Sequence, residues 1–240
     1  MDNIVEFQVH GKTALFTDPL TKIGGEKCSY HIPTYEALKG IVSSVYWKPT
    51  FIWIIDQVRI MNRIKTQTKG MKPIKYYGGG NDLSIYTYLT DVEYQVRAHF
   101  EWNFNRKDME KDRNDMKHWI VAKRMIERGG RRDVFLGTRE CQGYVEPCPF
   151  QDGKGFYDES DEITYSLMFH GFDYPDEFGK NELYARFWNP TMTNGVINFV
   201  RPEVCPVRRL VKAMKGQPPA SSGLEDESLQ TALAEEGLRQ

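Results

Sequence analysis

Residues 89–102 read LTDVEYQVRAHFEW, and their alternation decides the fold. Val92, Tyr94, Val96, Ala98, Phe100 and Trp102 fall on one side; Glu93, Gln95, Arg97, His99 and Glu101 fall on the other. A period of two over this length is a long strand with one apolar face. Upstream, Phe51 to Met61 is rich in aromatic and β-branched residues and reads as a buried strand. Before it, Thr34 is a candidate N-cap, and Tyr35, Leu38, Ile41, Val42 and Val45 share one face of a helix. That helix must stop before Pro49, which leaves Tyr46 at its C-terminal end. Ile4 to His10 alternates as a first strand. Downstream, Asp115 to Arg128 predicts a second helix with Met116, Trp119, Ile120, Met125 and Ile126 available for burial, ended by Gly129-Gly130. Val134 to Leu136 returns as a strand. The order β, α, β, β, α, β is the ferredoxin-like pattern of RNA-recognition domains, in the α+β class. Fold alone does not fix function.

One departure stands out. A tight hairpin should join the second and third strands, but residues 63–88 intervene. They carry Lys65, Lys69, Lys72 and Lys75, the tyrosines Tyr76 and Tyr77, and Gly78-Gly79-Gly80. Loops this long are functional or disordered far more often than not. Basic residues mixed with tyrosines suit a single-stranded nucleic acid, with charge for phosphates and rings for bases. After Cys148 the pattern changes to short alternating stretches, Ile163 to Phe169 and Leu183 to Phe187, and Asn194-Gly195 marks a hairpin turn. The predicted organisation is a first domain over 1–145, a small antiparallel β-rich domain over 146–213, and an acidic tail over 214–240.

Charge is segregated. The net charge is −1, yet Glu225, Asp226, Glu227, Glu235 and Glu236 against Arg239 leave residues 217–240 at −4 and the rest at +3. Residues 105–132 hold ten Lys or Arg against five Asp or Glu. A local basic surface of this kind is an electrostatic footprint for a polyanion. Within it lies Lys117-His118, in the first turns of the second helix, an end that favours anions. Histidine titrates near neutral pH and can move a proton; the neighbouring lysine can neutralise a phosphate.

RNA needs no metal to be cut, because its own 2′-hydroxyl can attack the adjacent phosphorus. The protein must align that attack, move protons and stabilise the phosphorane. A histidine, a lysine and a tyrosine suffice. The sequence has no HExxH, no DxD and no paired histidines at ligand spacing, and its glycine run lacks the Lys-Ser/Thr of a P-loop, so no metal site and no cofactor is expected. His10, His31, His99 and His170 read as strand-face or loop packing, and Trp47, Trp53 and Trp119 as core. Arg113, Arg131, Arg132 and Arg139 are candidate phosphate contacts; Arg139 with Glu140 reads equally well as a structural tie. The N-terminus lacks a signal peptide and no apolar run reaches membrane-spanning length, so a cytoplasmic protein with no membrane partner is expected.

Five stretches carry a family resemblance: VHGKTALFT (9–17), YHIPTYEALKGIVSSVYWKP (30–49), KH (117–118), GGRRDVFLGTREC (129–141) and MFHGFDYP (168–175). Together they closely resemble the CRISPR-associated Cas-five proteins of subtype d, from type I-C systems, over nearly the whole chain to about residue 205. The resemblance implies a ferredoxin-like domain with an inserted hairpin or thumb at 63–88, followed by a small β-domain. It implies a metal-independent endoribonuclease that recognises the CRISPR repeat hairpin, cuts the precursor at its base, and stays on the 5′ handle of the guide RNA. The implied partners are the backbone and large subunits of the type I-C Cascade complex, with DNA left open. The family's catalytic tyrosine, lysine and histidine map onto Tyr46, Lys117 and His118. The alternative is a subunit that holds the 5′ handle and cuts nothing.

Overall fold

The computed structural model describes residues 3–23, 25–75 and 77–216. Tyr76 and residues 217–240, which include most of the expected acidic tail, lie outside the described residues. The elements in chain order are β1 (Ile4–Ala14), α1 (Pro19–Ile23), α2 (Tyr35–Val45), β2 (Phe51–Ile60), β3 (Thr66–Met71) and β4 (Ser84–Trp102). A 3-10 turn (Lys107–Asp112) then leads into α3 (Asp115–Glu127), β5 (Val134–Phe135) and β6 (Gln142–Pro147). The remainder is β7 (Ile163–Thr164), β8 (Met168–Asp173), α4 (Pro175–Phe178), β9 (Glu182–Trp188), β10 (Thr191–Thr193), β11 (Val196–Asn198) and β12 (Val207–Ala213). The protein is a mixed α/β structure dominated by antiparallel sheet, with few helices. Among the described residues, no helix is long and apolar enough to cross a membrane.

Among the described residues, the larger sheet runs β5-β6-β1-β4-β2-β11-β10-β7, with β3 hydrogen-bonded to the first part of β4. A second sheet runs β12-β9-β8. At the centre, β4 pairs antiparallel with β1 (Phe7 opposite Val96) and with β2 (Val58 opposite Val96). The alternation in 89–102 points its apolar side at the helices: Val96 and Ala98 have no exposure, and they pack with Phe7, Val9, Val58 and Leu38 in one core. Each such side chain contributes roughly 1.5–3 kcal/mol when fully buried.

The first helix follows the sequence reading closely. Thr34 Oγ1 accepts from Ala37 N at 3.1 Å, and Tyr35, Leu38, Ile41, Val42 and Val45 are buried. In the second helix the expected face is buried in part: Ile126 is in the core, and Trp119 and Met125 pack against it. His118, Ala122 and Ile126 point inward at i, i+4, i+8, whereas Met116 and Ile120 stay more than a third exposed.

The strand that pairs with β1 on its outer side is Gln142–Pro147, not the stretch at 134–136. Val134–Phe135 is a two-residue strand one position further out, on β6. The chain reverses between them at Gly137, whose φ is +95° and where a Cβ would lie 2.0 Å from the Leu15 carbonyl oxygen. Asn194 and Gly195, both at positive φ, make the expected hairpin between β10 and β11, and β11 continues the larger sheet by pairing with β2.

Between α2 and the second sheet lies a buried polar layer. The His170 ring has no exposure, stacks on Tyr35 with centroids 4.2 Å apart, and is 3.0 Å through Nε2 from the Val200 carbonyl oxygen. Burial, and then the Arg186 charge, push its pKa down to about 3. Between that value and the ordinary histidine value the unfolded chain binds the extra proton, so stability falls as pH falls through this window. The loss from this group should be on the order of a few kcal/mol, and His170→Gln should flatten the slope. Denaturant unfolding at pH 4 and pH 7 would expose the error if both proteins showed the same slope.

Candidate active site and nucleic-acid interface

Tyr46 is the C-cap of α2. Its N–H still donates to Val42 O at 2.9 Å, but its own backbone is extended (φ −156°, ψ 130°). Its carbonyl accepts from Trp53 Nε1 at 2.7 Å. Successive residues of extended chain face opposite ways. Tyr46 therefore turns inward at 5 % exposure, and Trp47 turns outward at 43 %, correcting the expectation that Trp47 is core. His118 reaches the same place from the first turn of α3, which Asn114 caps by accepting from Lys117 N at 3.1 Å. The helix N-terminus is thus closed by its own cap.

Tyr46 Oη lies 2.7 Å from His118 Nδ1, and His118 Nε2 lies 2.8 Å from the Asp112 carbonyl oxygen. A carbonyl only accepts, so Nε2 carries the proton of the neutral ring. Nδ1 is then the acceptor, and the Tyr46 hydroxyl donates to it. The ring has no exposure and sits edge-on to Phe51, Phe100 and Trp102, at 5.2, 6.2 and 5.7 Å between centroids. Burial pushes the His118 pKa below the usual histidine value; the Asp112 bond and charge oppose this, and Lys117 and Lys48 add to it. Burial, with the Asp112 charge, pushes the Tyr46 hydroxyl up, so it keeps its proton.

Lys117 Nζ donates to Asp112 Oδ1 at 2.6 Å, and its side chain is 39 % exposed. Thr50 Oγ1 donates to Asp112 Oδ2 at 2.8 Å. Burial alone would raise the Asp112 carboxyl, but these two bonds and the nearby positive groups outweigh it and hold the pKa below the usual range. Asp112 and Thr50 escaped the sequence reading. The signal available was an acid five residues before Lys117, and it was counted only as charge.

The expected phosphate-binding residues separate into two groups. Arg131 and Arg132 are exposed, and their backbone N–H groups donate to Val45 O and Ser44 O at 3.1 Å each. They close the C-terminus of α2 beside Tyr46, where cations suit the helix dipole. Arg113 instead bonds the carbonyls of Asn103 and Arg106 (3.3 and 3.1 Å) and lies over the Phe104 ring, tying down the turn that carries Asp112.

The second group lies at the other end of the sheet. β3 and the start of β4 form a hairpin from Thr66 opposite Leu89 to Met71 opposite Ser84. Lys65, Lys69, Lys72, Lys75 and Tyr77 are exposed there. Lys69 Nζ lies 5.2 Å from the Tyr88 ring centroid, and Lys27 Nζ lies 4.8 Å from that of Tyr86, an approach that the sequence reading missed. Arg139 is exposed in the turn after Leu136, whose carbonyl accepts from Leu15 N just past the end of β1. At about 3.3 Å per residue, Leu89 and Trp102 stand roughly 40 Å apart along β4. The hairpin and Arg139 are therefore far from the Tyr46–His118 pair.

These features define a class: an antiparallel-sheet α/β protein with a buried Tyr–His pair at one end and a basic hairpin at the other. The family model for CRISPR-associated protein (Cas_Cas5), subtype d, matches residues 4–200. The chain belongs to this Cas5d family. It is 34 % identical over 229 residues to a protein of Mannheimia succiniciproducens named CRISPR pre-crRNA endoribonuclease Cas5d, covering 82 % of this chain and 95 % of that one. A Thermus thermophilus protein of the same name is 25 % identical over 154 residues, covering 60 % and 63 %. A solved structure described as a CRISPR-associated protein superposes with a TM-score of 0.73 at 37 % identity, covering 86 % of this chain and 96 % of the other.

Proposed function

We propose that this protein is a metal-independent endoribonuclease that cuts precursor CRISPR RNA at the base of the repeat hairpin. One observation carries the reading: Tyr46 and Lys117-His118, far apart in sequence, meet with Tyr46 Oη 2.7 Å from His118 Nδ1. The names of the Mannheimia and Thermus relatives support the substrate. The order β6-β1-β4-β2 with α2 and α3 supports a ferredoxin-like catalytic part; the proposed division at 145 falls inside β6, and β11, β10 and β7 of the β-rich part continue the same sheet.

In this mechanism the RNA 2′-oxygen attacks the adjacent phosphorus and the bond to the 5′-oxygen breaks. The 2′-hydroxyl proton passes to Tyr46 Oη as the tyrosine proton passes to His118 Nδ1. The imidazolium then returns a proton through Tyr46 to the departing 5′-oxygen. The products are a 2′,3′-cyclic phosphate and a 5′-hydroxyl. Because the His118 ring is buried, it acts through Tyr46, and neutral His118 is the working form. Lys117 faces the phosphorane charge. Arg131 and Arg132 hold flanking phosphates, and Arg113 steadies the turn. The product stays bound by its 5′ handle in a cytoplasmic Cascade complex with backbone and large subunits; DNA is a further candidate ligand of the same basic surface.

A second reading has one observation in its favour. A fully buried histidine with both nitrogens bonded also suits a purely structural role, which would leave a subunit that holds the guide without cutting. The deciding assay uses the protein's own repeat RNA in excess EDTA, with and without a 2′-hydroxyl at the scissile nucleotide. We expect the ribose substrate alone to be cut, leaving a cyclic phosphate. Cleavage that needs magnesium, or that proceeds on the deoxy substrate, would overturn the mechanism.

The hairpin lysines should contribute mainly to affinity. Replacing Lys69 and Lys72 with alanine should weaken repeat binding and lower the salt slope by about 0.7 for each phosphate no longer neutralised, the single-strand value. Single-turnover cleavage at saturating protein should be unchanged. A slower saturated rate would contradict this division of labour.

A further inference from the structure

We infer that Asp112 is a positioning residue for this site, orienting His118 with its backbone carbonyl and holding Lys117 with its carboxylate. This rests on the nuclease reading above. The carbonyl oxygen, 2.8 Å from His118 Nε2, leaves Nδ1 free to accept from Tyr46. The carboxylate is fixed by Thr50 and Lys117, and its Oδ2 comes within 3.3 Å of His118 Nε2. It therefore stands on the far side of the ring from Tyr46, where a negative charge favours the imidazolium formed when the tyrosine proton arrives. Asp112 forms and breaks no bond; the proton travels between Tyr46 and Nδ1 only.

Few other charges compete at this point. The titratable groups that act on His118 are Tyr46 and Lys48 from the end of α2 and the loop after it, Asp112 from the 3-10 turn, and Lys117 from α3. Among the described residues, β2 and β4 place the rings of Phe51, Phe100 and Trp102 against His118. Asp112 is thus the negative group beside the ring, and removing its charge should change the titration of His118 in a known direction.

Asp112→Asn keeps the backbone carbonyl and nearly the same shape but loses the charge. Cleavage at neutral pH should fall at least about 10-fold, because an adjacent opposite charge favours the charged form of a group by about one to three pKa units. The midpoint of the acid limb of the rate profile should move to lower pH, because the imidazolium loses its counter-charge. Ring-nitrogen NMR of His118 in the RNA-free protein should show the same downward shift, starting from the Nε2–H tautomer. Asp112→Glu, which keeps the charge but displaces it, should restore the midpoint while the rate stays reduced.

A wild-type protein that does not cut repeat RNA in EDTA overturns the nuclease reading, and the positioning role with it. If the wild type cuts, the role alone is overturned by a wild-type rate in either variant, or by an Asp112→Asn midpoint that does not move. A rate loss tracking thermal destabilisation at a fixed midpoint is such a result, since a structural ion pair would behave that way.

Discussion

Replacing His118 with alanine is expected to slow cleavage of repeat RNA by roughly 10²–10⁴-fold, the usual contribution of a positioned acid–base group, with RNA affinity nearly unchanged. The ring touches no solvent, so the slower rate cannot come from a missing RNA interaction. In the proposed mechanism it comes from Tyr46, whose hydroxyl is held protonated by burial and is hydrogen-bonded to His118 Nδ1. Alanine also leaves a hole among Phe51, Phe100 and Trp102, so Tyr46→Phe is the companion variant: it removes one oxygen and keeps the packing. Both variants should be similarly slow and not additive, because one proton path is broken in each. A rapid His118→Ala enzyme, or additive losses in the double variant, would rule the path out. Wild-type activity should rise with pH through a midpoint below the ordinary histidine value and level off near neutrality. The sign follows from the mechanism, since protonated His118 cannot accept from Tyr46 and its pKa is lowered by burial.

The largest stability effect should come from Asp173→Ala, a loss of about 3–5 kcal/mol, as expected when one partner of a buried ion pair is removed. Asp173 is buried at 6 % exposure and Arg186 at 2 %. Arg186 Nη1 lies 3.2 Å from Asp173 Oδ1, and Arg208 pairs with the other oxygen. Arg186 Nη2 also donates to the Phe172 carbonyl at 3.1 Å, and its guanidinium lies 5.7 Å from the Tyr35 ring centroid. Without the carboxylate this guanidinium stays buried and loses its ion pair, with the Glu36 carboxyl left as a neighbouring acidic group. Replacing Asp173 and Arg186 together with leucine and methionine should recover part of the loss, because the fully buried charge goes with its partner and only the partly exposed Arg208 is left without one. Denaturant unfolding decides it: a single-variant loss under about 1 kcal/mol would mean that solvent reaches the pair.

The central strands and the first helix were legible because each follows a local rule. Thr34 caps, Pro49 terminates, and five apolar residues share a face. The last central strand was not legible at 142–147, because Gly143 and Pro147 interrupt its alternation. Gly143 is required there by the Leu136 side chain, which would meet a Cβ at 2.9 Å. On α3 the expected Ile126, Trp119 and Met125 do pack on the core, while the expected Met116 and Ile120 stay more than a third exposed and His118 and Ala122 are buried.

For the site, the residue types and the family resemblance singled out Tyr46, Lys117 and His118 as candidates, because the proposed chemistry needs a proton carrier and a cation. Sequence alone thus determined which side chains could do the work and which segments carry them. Only the tertiary structure decided their relations: that the Tyr46 hydroxyl meets a fully buried histidine, that the Asp112 carbonyl lies against the ring's other nitrogen, and that the basic hairpin stands at the far end of the sheet. The physical reason is that proton order and phosphate reach depend on distances of a few ångströms and on burial, and both arise from packing between elements far apart in the chain.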